Sequence, residues 1–463
     1  MRAETDALGT QLIDSSRYYG IQTQRAIENF SISGKTIADV PEFVYSIIRI
    51  KKAAAIANHK LGLLSQERFE VICHAADELL GAQTLVHFPV DIYQGGGGTA
   101  ANMNVNEVLA NRASELLTGD KGYEPVHPND HINRGQSTND VIPAAMKLTM
   151  HYQLGLLEKT LMDFHGQLNQ KTAEFSDVIK VGRTCLQDAL PNTMGNQFSG
   201  YASVFGRLLA QVQQARKQCL KLPLGATAIG TGYGAHPEFQ STVLDELSLI
   251  TGLPLTADAN LFDALQNADI WLSISATLKA VAVSLNKLAS DLRLMSSGPR
   301  AGLNEISLPA VQPGSSIMPG KVNPVMPEMM MQVYFRVLGN DASITRACEG
   351  ELDVNVWECL ILNCVSESTL LLNNGMALFG EKCIAGITAN REKCAEDAER
   401  SLALATVLAC AFDYSTASAV AKQAERENKT IRQVAIEQGL DAKMDRAELS
   451  PEWVASKVCT AIN

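Results

Sequence analysis

Residues 314–324 (GSSIMPGKVNP) combine the side-chain types and spacing most suggestive of chemistry. Ser315, Ser316, Lys321 and Asn323 lie within a short stretch bounded by glycine and proline. A loop of this length between helices more often carries functional residues than serves only as a connection. Backbone amides around adjacent serines can stabilise a developing anion, and the lysine adds positive charge. The segment therefore predicts a loop that handles anions, with an ordinary surface loop as the alternative.

A second polar segment, residues 136–140 (QSTND), comes just before a long helix that we expect to begin near Pro143. Small polar side chains at a helix start can cap its backbone. The same hydroxyls and N–H groups can bind an anion, because the helix dipole favours negative charge there. One helix cap needs fewer polar side chains than Ser137, Thr138 and Asn139 provide. The segment can therefore both cap the helix and bind an anion.

A third segment has four consecutive glycines, residues 95–98, followed by Thr99 and Asn102. Glycines let the backbone approach a ligand closely because they carry no side chain. A dinucleotide site would need a preceding strand and the G-x-G-x-x-G spacing, and neither is evident. A flexible linker is the alternative.

Other common kinds of site find little support. His127 and His131 are four residues apart, but Pro128 between them argues against the helical histidine pair of a zinc site. The G-x-S-x-G signature of a serine hydrolase is absent from the sequence. We therefore predict no metal site and no cofactor.

Three apolar stripes predict the long helices that must position these segments. Spacings of three and four residues place each stripe on one face of a helix. Further long helices are expected over 327–346 and 356–379, and extended chain at 177–181 could pair locally. The pattern predicts a mainly α protein with a central bundle of long helices. The stripes are Met150, Leu154, Leu157, Leu161, Phe164 and Leu168; Phe198, Tyr201, Phe205, Leu208, Val212, Ala215 and Cys219; and Leu278, Val281, Leu285, Leu288, Leu292 and Met295.

The chain has 463 residues, room for about three domains at roughly 150 residues each. After residue 393 the composition changes to shorter, charged helical stretches. We therefore expect an N-terminal domain at residues 1–138, a central helical-bundle domain at 139–393 and a small C-terminal helical domain at 394–463.

Charge and composition exclude several partners. With 39 Lys and Arg against 50 Asp and Glu, the formal net charge is −11, which disfavours non-specific nucleic-acid binding. No apolar run reaches the ~18 residues needed to span a bilayer, so no membrane partner is expected. Ten cysteines without a CxxC pair indicate free thiols in a reducing compartment. We expect a cytoplasmic protein.

The sequence resembles the aspartase/fumarase superfamily, whose members add or eliminate an amine or hydroxide across fumarate. GSSIMPGKVNP is similar to the superfamily signature, and ordered matches extend over nearly the whole chain. They include ENFSIS, FPVDIYQGGGGTAANMNVNEVLANRA, QSTND, GRTCLQDALP, GATAIGTGY and SSGPRAGLNEISLPAVQ. The resemblance implies a three-domain fold around a central bundle of long helices. It also implies a homotetramer in which three subunits contribute to each active site.

Within the superfamily the chain is more similar to the aspartate ammonia-lyase branch than to class II fumarases. Fumarases resemble one another in having QSSND and a serine two residues before the loop threonine, where this chain has Gly97. Cys185 is a departure, since relatives carry His or Gln there, and a thiol is a weaker hydrogen-bond partner. Residues 409–415 (ACAFDYS) also depart from the family pattern, and they lie in the small domain that helps to shape or cover the site in this superfamily.

The resemblance implies elimination of ammonia from L-aspartate through an aci-carboxylate, with Ser315 as the general base that removes the Cβ proton. Loop 312–324 is expected to close over the substrate. The alternatives are a class II fumarase, a lyase for another succinyl compound or N-substituted aspartate, and a non-catalytic relative of the lens-crystallin kind. The implied ligands are Thr99, Ser137, Thr138 and Ser316 for the β-carboxylate, Thr184, Lys321 and Asn323 for the α-carboxylate, Asn139 for the amine, and Asn102 and Cys185 as further pocket residues.

Overall fold

The computed structural model describes residues 1–457. Nine cysteines in this part of the chain are free thiols, and Cys459, to which the same expectation applies, lies outside the described residues. No helix within residues 1–457 is long and apolar enough to cross a lipid bilayer.

The described chain is mainly helical, which confirms the predicted fold class. Helices of more than twenty residues occupy the middle of the sequence, and shorter ones follow after residue 390. The helices are α1 (Ile21–Asn29), α2 (Pro41–Lys60), α3 (Gln66–Leu79), α4 (Thr99–Thr118), α5 (Thr138–Glu174), α6 (Met194–Gln218), α7 (Phe239–Thr251), α8 (Leu261–Gln266), α9 (Asp269–Met295), α10 (Val325–Ala347), α11 (Glu358–Lys382), α12 (Arg391–Arg400), α13 (Ala405–Ala411), α14 (Tyr414–Glu427), α15 (Ile431–Glu437) and α16 (Pro451–Ser456).

The five predicted long helices are all present, as α5, α6, α9, α10 and α11. Every residue of the three apolar stripes is buried, as expected when a helix packs one face against its neighbours. Two boundaries differ from the sequence pattern. Helix α5 begins at Thr138 and contains Pro143, which has no N–H to donate to the Asn139 oxygen and so leaves one i→i−4 hydrogen bond of the helix unmade. Helix α6 ends one residue before Cys219.

Strands are short and occur in pairs. The expected pairing near residues 177–181 is present as an antiparallel hairpin with a register shift between Val181 and Arg183. The strands are β1 (Arg2–Asp6) and β2 (Gly9–Ile13), antiparallel; β3 (Ile179–Thr184) and β4 (Gln187–Thr193), antiparallel; β5 (Lys221–Leu222) and β6 (Thr256–Ala257), parallel; and β7 (Ile306–Ser307) and β8 (Thr388–Ala389), antiparallel.

The chain divides into two compact units that each collect separate stretches of sequence. The predicted domain boundaries at 138/139 and 393/394 stay a prediction, because these units follow spatial contacts and not the order of the chain. The first unit contains Met1–Glu158, Ala210–Ala280 and Arg336–Leu372, and the second contains Lys159–Leu209, Val281–Phe335 and Asn373–Asn463.

Aromatic side chains fill the core of the second unit. The ring of Phe164 lies 5.0 Å from Phe205 in an edge-to-face arrangement and 6.0 Å from Phe379 in a stacked one. These geometries match the electrostatic preference of aromatic pairs. Near the C-terminal end of this unit, Leu408 of α13, Val420 of α14 and other buried aliphatic residues form a smaller core.

Candidate active site

Loop 314–324 leads directly into helix α10 and holds Ser315 in a half-buried position. The Ser315 Oγ accepts hydrogen bonds from the backbone N–H groups of Ile317, at 3.2 Å, and Met318, at 3.0 Å. Two N–H donors on one hydroxyl oxygen favour negative charge on that oxygen. The half-buried Ser315 hydroxyl therefore lies where two backbone amides would stabilise an alkoxide.

The two ends of this loop are fastened to each other. The Gly314 N–H donates to the backbone oxygen of Lys321 at 2.8 Å, and the Asn323 side-chain Nδ2 donates to the Gly314 oxygen at 2.7 Å. A Cβ on Gly314 would lie 2.7 Å from both the Asn323 N and the Lys321 O atoms, so glycine is required for this closure. The side chains of Ser316 and Lys321 are exposed to solvent.

The turn of hairpin β3–β4 presents Thr184 and Cys185, two of the predicted site residues, on the surface of the same unit. Cys185 and Leu186 form the two-residue turn with φ angles of +54° and +62°. Such turns favour Asn-Gly, because most side chains are strained in the left-handed region. A strained backbone retained at an exposed turn is a common feature of functional sites.

A cavity of about 840 Å³ adjoins this hairpin, lined by Lys180, Arg183, Thr184 and Cys185 among others. Both cations contact Glu305, which is 1% exposed: the Lys180 Nζ lies 2.8 Å from Glu305 Oε2, and Arg183 donates to Oε1. The two positive charges therefore share one buried carboxylate, which leaves a net positive charge beside the cavity.

The remaining predicted residues lie in the first unit. Gly97 and Gly98 have φ angles of +62° and +83°, and helix α4 begins immediately after them at Thr99. The Thr99 hydroxyl donates to the Gly96 oxygen at 2.8 Å. A Cβ on Gly98 would lie 3.0 Å from the Ile142 side chain, so the glycine run lets this turn pack closely against helix α5.

The QSTND segment caps helix α5, which is one of the two roles that the sequence left open. The Asp140 Oδ1 atom accepts the Ser137 N–H at 2.9 Å, and the Ser137 Oγ accepts the Asn139 N–H at 3.2 Å. These contacts satisfy N–H groups that have no partner within the helix. The side chains of Ser137, Thr138 and Asn139 remain partly exposed, so capping leaves them accessible to a ligand.

The second oxygen of Asp140 ties this helix start to the glycine-rich loop 222–237. It accepts N–H groups from Gly225, at 3.1 Å, and Thr227, at 2.9 Å, and the Asn139 Nδ2 donates to the Ala228 oxygen at 2.8 Å. Burial raises the pKa of Asp140 to about 6, although the backbone hydrogen bonds act in the opposite direction. The carboxylate thus serves as a structural acceptor for three backbone donors.

Asn102 and Thr138 come together through a side-chain hydrogen bond. The Asn102 Nδ2 donates to Thr138 Oγ1 at 3.1 Å and to Asn133 Oδ1 at 3.2 Å. Asn133 also accepts from Lys51 Nζ at 2.8 Å. Sequence reasoning missed Lys51 and Asn133. One feature of the sequence could have pointed to Lys51. It lies on the same face of helix α2 as Ile47 and Ala54, which are apolar and buried.

Comparison with known proteins gives one family and several close relatives. The family described as "Lyase" matches residues 9–339. Aspartate ammonia-lyase of Helicobacter pylori is 44% identical over 96% of this chain and 95% of its own length. The solved fumarate lyase:delta crystallin of Brucella melitensis has a TM-score of 0.95 at 43% identity, covering 98% of this chain and 99% of that one. The class II fumarase of Schistosoma mansoni has a TM-score of 0.94 at 36% identity, with 98% and 99% coverage.

Proposed function

This chain belongs to the lyase family, within the aspartase/fumarase superfamily, and we propose that it converts L-aspartate to fumarate and ammonia. The family and its ammonia-lyase relatives make the chain a carbon–nitrogen lyase, which disfavours the non-catalytic alternative. The substrate, the proton acceptor and the assembly are the parts that we propose.

The chemical difficulty is the removal of a weakly acidic proton next to a carboxylate. The electron pair left on Cβ is tolerable only when it spreads into that carboxylate as an aci-carboxylate dianion. The enzyme must therefore bind this dianion more tightly than the substrate. The pair then forms the carbon–carbon double bond as the Cα–N bond breaks and the substrate's ammonium group leaves as neutral ammonia.

The contact of Ser315 Oγ with two backbone N–H groups carries the proposal. A serine hydroxyl is far too weak a base in water, and it becomes useful only where its alkoxide is stabilised. The amides of Ile317 and Met318 provide that stabilisation, and the positive charge of Lys321 on the same loop adds to it. In this scheme the Ser315 alkoxide takes the Cβ proton of aspartate.

The β-carboxylate gains charge in this step and needs hydroxyl and N–H donors. We assign it to Thr99, Ser137, Thr138 and Ser316, and the α-carboxylate to Lys321, Asn323 and Thr184. Asn139 stands beside the departing amine, while Asn102 and Cys185 complete the pocket. Hydroxyls and amides suit a charge that develops during the reaction, because they are preorganised dipoles that require little rearrangement.

Gly97 supports ammonia over water as the leaving group. Its φ of +62° is a conformation that serine rarely adopts, and the hydroxyl that fumarases carry at this place is missing here. A water molecule held there would lose one hydrogen-bond partner.

We further propose that the chain acts as a homotetramer in the cytoplasm, with three subunits contributing to each active site. Apolar side chains that are exposed on the long helices, such as Leu156 and Met162 of α5 and Leu370 of α11, suit assembly into a larger bundle. The nine free thiols in the described part of the chain suit a reducing compartment. An active monomer in light-scattering measurements would contradict the shared site.

A substrate panel tests the choice of reaction. The purified protein is incubated with L-aspartate, L-malate and N-substituted aspartates, and the absorbance of fumarate is followed between pH 6 and 9. We expect fumarate from aspartate and much slower release from the others. No reaction with aspartate at any pH in this range would refute the assignment.

The second candidate is a class II fumarase or a lyase for another succinyl compound. It is favoured by the solved fumarase, which matches 98% of this chain, and by Cys185 at a place where relatives carry a stronger hydrogen-bond partner. Malate as the fastest substrate would select the fumarase, and an N-substituted aspartate would select the other lyase.

A further inference from the structure

Lys51 on helix α2 is completely buried, although it carries an amine. Its neighbour Lys52 is partly exposed and pairs with Asp77 at 2.6 Å. Lysine is rarely fully buried unless a specific partner holds it. The contacts of Lys51 therefore indicate what this amine does.

The Lys51 Nζ donates to two side-chain amides, the Oδ1 of Asn133 at 2.8 Å and the Oε1 of Gln136 at 3.0 Å. The NH₂ groups of the same amides donate to backbone oxygens of Gln136 and Ile132, at 3.1 and 3.0 Å. An ammonium group only donates. It therefore fixes both amides with their oxygens inward and holds the chain just before helix α5 in place.

The arrangement continues from Asn133 to a predicted substrate ligand. The Asn133 Oδ1 accepts from Asn102 Nδ2, and the same Asn102 nitrogen donates to the Thr138 hydroxyl oxygen at 3.1 Å. Asn102 is 1% exposed, so its side chain has little room to adjust if Asn133 moves. Lys51 is thus connected to Thr138 through two side chains.

The charge of Lys51 also acts on this segment. Burial lowers the pKa of Lys51 to about 7, while the carboxylate of Asp140 acts in the opposite direction. The two charges therefore favour each other, and Asp140 in turn accepts the Ser137 N–H at 2.9 Å. Because this pKa is near neutrality, Lys51 carries its charge only part of the time near pH 7, but the neutral amine still has two N–H groups for Asn133 and Gln136.

We propose that Lys51 is a positioning residue for the dicarboxylate substrate: it holds Gln136 directly, and through Asn133 it aligns Asn102 and Thr138, two residues assigned to the substrate pocket. This inference rests on the proposed function, because it assumes that these residues bind a carboxylate. It adds a residue that does not touch the substrate, and it predicts an effect on binding that exceeds the effect on turnover.

The test compares Lys51→Met with Lys52→Met, a matched control one residue away whose partner is at the surface. Methionine fills a similar volume without a charge, but it leaves the side-chain oxygens of Asn133 and Gln136 without a donor, so the melting temperature should fall as well. We expect the Kd for succinate and the KM for L-aspartate to rise at least about tenfold in Lys51→Met, with a smaller fall in kcat. Lys52→Met should stay within about twofold of the wild type.

A third variant, Lys51→Gln, retains an NH₂ donor without the charge, and its Kd for succinate should lie between those of the wild type and Lys51→Met. If Lys51→Met does not fold, Lys51→Gln takes its place in the comparison with Lys52→Met. A purely structural role would lower the melting temperature but leave the Kd of the folded protein unchanged. A folded Lys51 variant with wild-type Kd and KM would overturn the inference.

The succinate measurement separates this inference from the proposed function. A wild-type protein that binds succinate but makes no fumarate from aspartate refutes the proposed reaction, while the Lys51 variants still decide the positioning role. A wild-type protein that does not bind succinate overturns the positioning role as well.

Discussion

Replacing Glu358 by glutamine should stabilise the protein increasingly as the pH rises. Glu358 is the first residue of helix α11 and is 5% exposed. Its Oε2 has no hydrogen-bond partner within the described residues. Burial raises the pKa of this carboxyl to about 8, so the folded protein holds a proton that the unfolded chain has already released.

The sign and size follow from this difference in proton binding. Below the ordinary pKa near 4.5 both states are protonated, and ionisation costs nothing. Between pH 4.5 and 8 the folded state binds more protons, so its stability falls as the pH rises. From pH 5 to pH 8 the loss amounts to about 3 to 4 kcal/mol, at about 1.4 kcal/mol per pH unit. Glutamine has no charge to bury and avoids this loss.

The assay is urea unfolding of wild type and Glu358→Gln at pH 5, 6.5 and 8, at one protein concentration. The gap between their free energies of unfolding should widen with pH in favour of the variant. The matched control is Glu351→Gln, which changes an exposed carboxyl shortly before the helix and should follow the wild type. Parallel curves for wild type and Glu358→Gln would refute the argument.

Three further substitutions test the local geometry. Gly314→Ala places a Cβ 2.7 Å from backbone atoms of loop 314–324, and kcat for L-aspartate should fall at least about tenfold. An unchanged kcat would show that the closure of this loop on itself is not needed for turnover. Gly98→Ala places a residue with a side chain at φ +83° and pushes its Cβ towards Ile142. Chemical denaturation should show a free energy of unfolding lower by about 1 to 3 kcal/mol. A variant as stable as the wild type would contradict the close packing. Glu107→Ala removes the buried carboxylate that accepts the first N–H groups of helix α1 and should cost about 3 to 5 kcal/mol of unfolding free energy. The exposed Glu124→Ala is its control, and equal effects of the two would argue against the capping role.

The sequence predicts the helices well because their signal is local. The stripes through Leu154, Phe205 and Leu285 needed only spacings of three and four residues, and each residue is buried as expected. The start of helix α5 was less accurate, because Pro143 suggested a boundary while the helix begins five residues earlier, at Thr138, next to the cap that Asp140 forms with the Ser137 N–H. A proline inside a helix is unfavourable because it removes one i→i−4 hydrogen bond, so the sequence pattern favoured a boundary there, and the packing of the buried helix outweighs that preference.

The sequence predicts only some of the residues that form the candidate site. The residues of the loop and of QSTND were recognisable as short motifs, and so was the need for amides around Ser315. The network through Lys51 and Asn133 was not, because these residues are 82 positions apart. Hydrogen bonds between distant segments depend on the fold, and the spacing of residue types along the chain does not encode them.

The most direct test of the account is the kcat of Ser315→Ala with saturating L-aspartate, measured from the absorbance of fumarate. Removal of the proton acceptor should lower kcat at least about a thousandfold, while the Kd for succinate stays close to that of the wild type. Ser307→Ala, a change at an exposed serine of the same unit, should retain wild-type kcat. Near-normal turnover by Ser315→Ala would contradict the proposal that this serine removes the Cβ proton.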